Sequence, residues 1–215
     1  MTCSPAELAY QVVAALVARG LTVATAESLT GGGVCAALTG VPGASQVVRG
    51  GVVAYASDVK AQVLGVDAGL LAASGAVDPQ VAVQLALGAR RVLRADVGVG
   101  TTGVAGPDPC DGMAVGTVFV AVALGEATRV RRLELGPAGE REAIREASVA
   151  AALELVLAEL AYPGEAAQVG RPAGRSRVDP ADGVDVTVAS GTVENASSLA
   201  GAVAATPDAE EGSRS

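Results

Sequence analysis

The chain has 215 residues, half of them hydrophobic, with 23 acidic against 15 basic side chains, no histidine and a net charge of −8. That length buries one good core, so one domain with an appendage is the expectation. The acidic balance argues against a nucleic-acid partner, which needs clustered Lys and Arg, while small nucleotides stay open as ligands.

Cys3, Cys35 and Cys110 show neither metal-ligand spacing nor the even count of a disulfide scaffold, which points to no metal and to a reducing, cytoplasmic setting. The first apolar run, "LAYQVVAALVA", has no basic cluster before it and is followed by Arg19, so it reads as a helix of a soluble domain and not as a leader or membrane span. Ser4 with Glu7 forms a capping box, Pro5 suits the first helical position and Gly20 the stop.

Strand and helix patterns then alternate. A strand is predicted near 21–26, a helix over 30–38, a strand near 47–55 and a short helix over 58–64, capped by Ser57 or Asp58. Asp78 and Pro79 open a helix to about Leu93, and "ADVGVGTTG" reads as a buried, glycine-thinned strand. "GTVFVAVAL" and "RVRRLEL" make a hairpin around Gly125 and Glu126, and a last helix covers 138–160. The alternation predicts a layered α/β domain with a mixed sheet over residues 1–162. From 163 to 215 the composition is Gly, Ala, Ser and acid, too poor in apolar surface to offset ordering entropy, so this tail is expected to be disordered; "VDVTVA" at 184–189 is its best strand candidate.

Without histidine, a general base must be a carboxylate, Tyr or Lys. Fourteen of the 15 basic residues are Arg, and the exception is Lys60. Arginine keeps its proton in a protein, whereas lysine gives it up where the charged form is disfavoured. Placed in the first turn of a helix, Lys60 would feel the positive end of the helix dipole, which shifts it toward a neutral base; an ordinary surface lysine is the alternative.

"ESLTGGG" puts Ser28 where a strand ends and a helix begins. Its hydroxyl and that of Thr30 would lie beside the N–H groups of Gly31, Gly32 and Gly33, donors suited to a phosphate or an oxyanion. A plain N-cap on a glycine turn is the competing reading. "GVGTTG" at 98–103 matches the dinucleotide fingerprint, but "VAGPDP" follows instead of a helix, so Gly98 and Gly100 read as strand positions and a dehydrogenase ranks last. Thr102, Gly103 and "AGPDPCDG" should then sit at the carboxyl edge of the sheet. Arg141 and Arg145, one helical turn apart, suit a clamp for phosphate or carboxylate, or equally an exposed face salt-bridged to Glu142 and Glu146.

Together "ATAESLTGG", "GGVVAYASDVKAQVLGV", "TTGVAGPD", "VGTVFVAVA" and "GEREAIR" resemble the C-terminal domain of the CinA family, the nicotinamide mononucleotide deamidases, in unbroken order over residues 5 to 160. The resemblance implies a three-layer α/β/α fold with a mixed, mainly parallel sheet of about five strands, and a homodimer. It implies hydrolysis of the nicotinamide mononucleotide carboxamide by a serine and a lysine, with no metal or cofactor. Ser28, Tyr55 and Lys60 fall on the family's catalytic serine, tyrosine and lysine, and Thr102, Arg141 and Arg145 match its threonine and late arginines; Thr30, Gly31, Gly32 and Gly103 join the expected substrate-binding set on the reading of the residues themselves. Leu29, Ala56 and Ser57 depart from the usual Cys, Ser and Asn. The resemblance does not extend to the molybdopterin-binding-like domain of longer CinA proteins, so its pyrophosphatase activity is not expected here. A catalytically silent mononucleotide-binding module is the rival expectation.

Overall fold

The computed structural model describes residues 3–136 and 141–161, and the backbone of 177–178. The chain runs α1 (Pro5–Arg19), β1 (Val23–Glu27), α2 (Gly33–Thr39), β2 (Val48–Val53), α3 (Ser57–Leu64), α4 (Ala68–Ser74), α5 (Pro79–Leu93), β3 (Val97–Gly103), β4 (Thr117–Leu124), β5 (Ala127–Glu134), α6 (Arg141–Ala161) and β6 (Arg177–Val178). The strands form one sheet in the order β2-β1-β3-β4-β5-β6. β1 is parallel to β2 and β3; β4 is antiparallel to β3 and to β5, and the two-residue β6 is parallel to β5.

Local chemistry explains most boundaries. Ser4 and Glu7 close the capping box at the start of α1 and Gly20 ends it in the left-handed region. The Asp78 carboxylate accepts the Gln80 N–H ahead of Pro79. The turn at Gly125–Glu126 pairs Leu124 with Ala127 as the hairpin reading requires. α4 has no sequence forecast: it is seven residues long, caps itself with Asp67, and buries no residue that would give it a period. α3 is opened by Ala56 without a side-chain cap, and neither Ser57 nor Asp58 serves. β6 falls within the stretch whose composition suggested no structure; the rest of 163–215, "VDVTVA" included, lies outside the described residues, as do 137–140 ahead of α6.

Alternation along the strands separates two helix layers. Val23, Val97, Val99, Val118, Val120 and Val122 pack beneath α1, α2 and α6. Ala24, Ala26, Phe119, Ala121 and Ala123 face the opposite layer, where α5 lies across the middle strands. The glycines of "GVGTTG" belong to this second interface. A Cβ on Gly98 would lie 2.0 Å from the Ala86 carbonyl oxygen, and one on Gly100 2.2 Å from that of Ala82. Their conformation is strand, and close approach of the α5 backbone accounts for the fingerprint-like spacing. Among the described residues no helix is long and apolar enough to cross a membrane.

Strand order 2-1-3 places β1 between two parallel neighbours whose connections run on opposite faces of the sheet: α2 leads from β1 to β2, and α3 to α5 lead from β2 to β3. In such a sheet the crevice opens at the carboxyl ends of the strands where the winding reverses. Ser28 follows β1 there, and Thr102 and Gly103 end β3. A shallow depression of about 250 Å³ between Leu87, Arg90, Arg91 and Ala95 lies at the other end of α5, away from this crevice.

The α5 contact yields the first prediction. Gly98→Ala should destabilise the fold by about 3 kcal/mol in urea unfolding, because backbone and not a flexible side chain blocks the new methyl. Parental stability would show that α5 can lift from the sheet.

Candidate active site

Glu27 ends β1 and pairs with Val53 on one side and Thr101 on the other. The Ser28 N–H continues the ladder to the Thr101 carbonyl at 3.1 Å, and the Glu27 carbonyl accepts the Ala54 N–H at 2.9 Å. Ser28 thus begins a turn rooted in the sheet, and it is 9% exposed. The turn closes on itself: the Gly31 N–H bonds the Ser28 carbonyl and the Gly33 N–H bonds the Thr30 carbonyl. Two of the three glycine donors expected to face a ligand are therefore spent. The Gly32 N–H closes no hydrogen bond among the described residues.

Neither Ser28 nor Thr30 caps α2. Gly32 is its N-cap with no side-chain bond, and the buried Glu27 carboxylate accepts the N–H groups of Val34 at 3.0 Å and Cys35 at 2.8 Å. Thr30 instead shares a 2.8 Å hydroxyl bond with Thr101 in the interior. Sequence reasoning passed over Glu27; its signal was strand alternation, which sets residues 23, 25 and 27 on the α2 face.

Lys60 is 1% exposed, the largest side chain so deeply buried among the described residues. It lies at the end of the first turn of α3, and its own N–H bonds the Ala56 carbonyl. Its ammonium nitrogen donates to the main-chain carbonyl of Tyr55 at 2.9 Å, and it forms no ion pair among the described residues. Tyr55 lies two residues beyond the end of β2, directly after the Ala54 that pairs with Glu27, so the lysine anchor and the serine turn sit on adjacent parallel strands. Burial pushes the Lys60 pKa below the ordinary lysine value; the negative charge of Asp111, and less so of Cys110, opposes this. The Cys110 thiol is itself pushed up by burial and by Asp111, so it is neutral near pH 7 and leaves Asp111 as the main counter-charge.

The remaining predicted site residues divide. Thr102 is buried and its hydroxyl donates to the Ala76 carbonyl at 2.6 Å, holding the turn before α5. Asp111 reaches the same turn, accepting the Ala76 and Val77 N–H groups, which seats the 104–116 loop near Lys60; the sequence reading placed this loop but did not single out Asp111. Gly103 stays in the ladder opposite Val118.

Arg141 donates to the Gly106 carbonyl and, at 3.0 Å, to the Tyr55 hydroxyl. Arg145 donates to the Leu29 and Thr30 carbonyls at 3.1 and 3.0 Å, and its guanidinium lies 3.2 Å from where a Cβ on Gly31 would stand. With φ at +62°, Gly31 needs to be glycine on both counts. Neither arginine is paired with Glu142 or Glu146; both bind the loops that make the site.

Lys60 sets a pH dependence of stability. Its folded pKa lies below the unfolded one, so the unfolded chain binds more protons between the two values, and stability rises with pH across that interval. Lys60→Met should remove this rise and be the more stable chain at neutral pH, by a margin that shrinks toward alkaline pH. Urea unfolding of both chains across pH checks it, and parallel curves would mean that the amine is not charge-penalised.

The family model described as the CinA C-terminal domain matches residues 5–160. A CinA-like protein of Frankia casuarinae is 49% identical over 150 residues, 70% of this chain and 34% of that protein. A putative competence-damage inducible protein of Geobacillus kaustophilus is 52% identical over 128 residues, 59% of this chain and 30% of that protein. The chain thus spans about a third of the length of these curated relatives. Among solved structures, the competence/damage inducible protein CihA from Agrobacterium tumefaciens is 38% identical with a TM-score of 0.69, over 72% of this chain and 94% of that one. A CinA superfamily protein from Enterobacter cloacae is 31% identical with a TM-score of 0.72, over 75% and 95%. With the motifs, the strand order and these matches agreeing over the same residues, the chain belongs to the CinA family and carries its C-terminal domain.

Proposed function

We propose that residues 1–162 hydrolyse the carboxamide of nicotinamide mononucleotide, giving nicotinic acid mononucleotide and ammonia. Ser28 is the nucleophile and Lys60 the base. The observation that carries this reading is Lys60: a buried amine on α3 with its proton affinity lowered, held by the carbonyl of Tyr55, which follows the strand next to β1 and its serine turn. An amine shifted in this direction gives up its proton more readily than an ordinary lysine, as a general base must.

In this mechanism neutral Lys60 takes the Ser28 proton as the Ser28 oxygen bonds the carboxamide carbon. The resulting ammonium passes the proton to the leaving nitrogen, the C–N bond breaks and ammonia departs. Water, deprotonated in turn by Lys60, then adds to the acyl carbon; the ester C–O bond breaks, the Lys60 ammonium returns its proton to the leaving Ser28 oxygen, and the acid is freed. The Gly32 N–H is the donor left for the oxyanion, since its neighbours are spent within the turn. Tyr55 acts through its carbonyl, which orients the amine, while its phenol answers to Arg141. Arg141 is the exposed cation of the site and the candidate partner of the substrate phosphate; Arg145 holds the nucleophile turn from outside.

Ser28→Ala and Lys60→Met should each lower ammonia release about a thousandfold or more while leaving a cooperative unfolding transition. Turnover within a few-fold of the parent in either defeats the mechanism. Saturable mononucleotide binding by the parent with no ammonia would favour a silent binding module. Tyr55→Phe should cost no more than about tenfold, because the main chain keeps its hold on the amine; a loss matching that of Lys60→Met would make the phenol a proton carrier.

A further inference from the structure

We infer that Glu27 is the positioning residue for Ser28, an inference that rests on the proposed role of that serine. Glu27 is 1% exposed, yet it pairs with no cation among the described residues. Both its oxygens are filled from one side. Oε1 accepts the Thr25 hydroxyl at 2.9 Å and the Cys35 N–H at 2.8 Å, and Oε2 accepts the Val34 N–H at 3.0 Å.

The consequence lies in what those contacts span. On the near side of Ser28, the Glu27 backbone is locked between Val53 and Thr101, with its carbonyl on the Ala54 N–H. On the far side, the first turn of α2 is held by the Glu27 side chain. One residue therefore fixes both ends of the short turn that carries the nucleophile, and the turn has little slack. A hydroxyl N-cap within the turn would satisfy one of these N–H groups but would move with the turn. The two methylenes of Glu27 let a group anchored in the sheet reach across instead. The same backbone carbonyl fixes Ala54, the residue before the carbonyl that holds Lys60, so nucleophile and base share one point of reference.

Glu27→Gln keeps the length but turns one acceptor into a donor facing an N–H. At a temperature where the variant is fully folded, kcat for ammonia release should fall about tenfold or more with KM within about threefold, since misplacement of a reacting atom acts on the chemical step. Amide hydrogen exchange should speed up over residues 29–35 and stay unchanged in β4. A role confined to stability would lower the melting temperature and leave kcat per folded molecule intact. A kcat within about twofold of the parent, or a lower kcat with unchanged exchange over 29–35, overturns the inference. If Glu27→Gln fails to fold, Thr25→Val removes one of the three bonds and should show the same pattern at about threefold in kcat, with the same overturning results. Should the parent release no ammonia, the functional reading fails, and exchange alone then decides for or against the clamp.

Discussion

The hydrogen bond from the buried Lys60 amine to the Tyr55 carbonyl is the contact around which the site is organised. Removing an ammonium group from water is costly unless it is paired, and a single carbonyl compensates only in part, so the group lowers its proton affinity instead. No arginine can make that adjustment. The fold accepts the strain of a buried amine in one place and surrounds it with α3, the end of β2 and the loop carrying Asp111. A residue that is only structural would be cheaper as leucine or methionine at this position.

Sheet topology puts the serine turn and the Tyr55 carbonyl that anchors the amine at the ends of neighbouring strands. Because β1 lies between β2 and β3, the ends of three parallel strands open on one crevice, and every main-chain link across it is already part of the ladder. The glycines of β3 serve the same end from below, since they let the α5 backbone close onto the sheet beneath the site. The layer interface and the candidate site are thus built from the same strands.

The late helix α6 belongs to the site although its residues stand far away in the chain. Arg145 reaches carbonyls 116 and 115 residues earlier, and Arg141 joins the Tyr55 hydroxyl to the Gly106 carbonyl. Guanidinium groups with several donors suit this work, since one side chain can hold two carbonyls. CinA-family membership gives the arrangement a context, and the chemistry of Ser28 and Lys60 is the reading that the arrangement favours.

Hydrophobic period, caps and turn residues are local properties, so α1, α5, the β4–β5 hairpin and the α/β class were determined by the amino-acid order alone, with β1, β2 and β3 recognisable as strands. The singular Lys60 and the hydroxyl-glycine turn at Ser28 were legible too, because composition and motif spacing need no third dimension. Tertiary structure decided which groups those residues meet. It gave the α2 end to Glu27 instead of a hydroxyl, turned the Gly31 and Gly33 donors inward, set the Tyr55 carbonyl and not its phenol against the amine, and put Arg145 on the serine turn and Arg141 on Tyr55 and the Gly106 loop. Each of these outcomes is a choice among partners distant in sequence, settled by strand pairing and layer packing, and no local pattern along the chain carries that information.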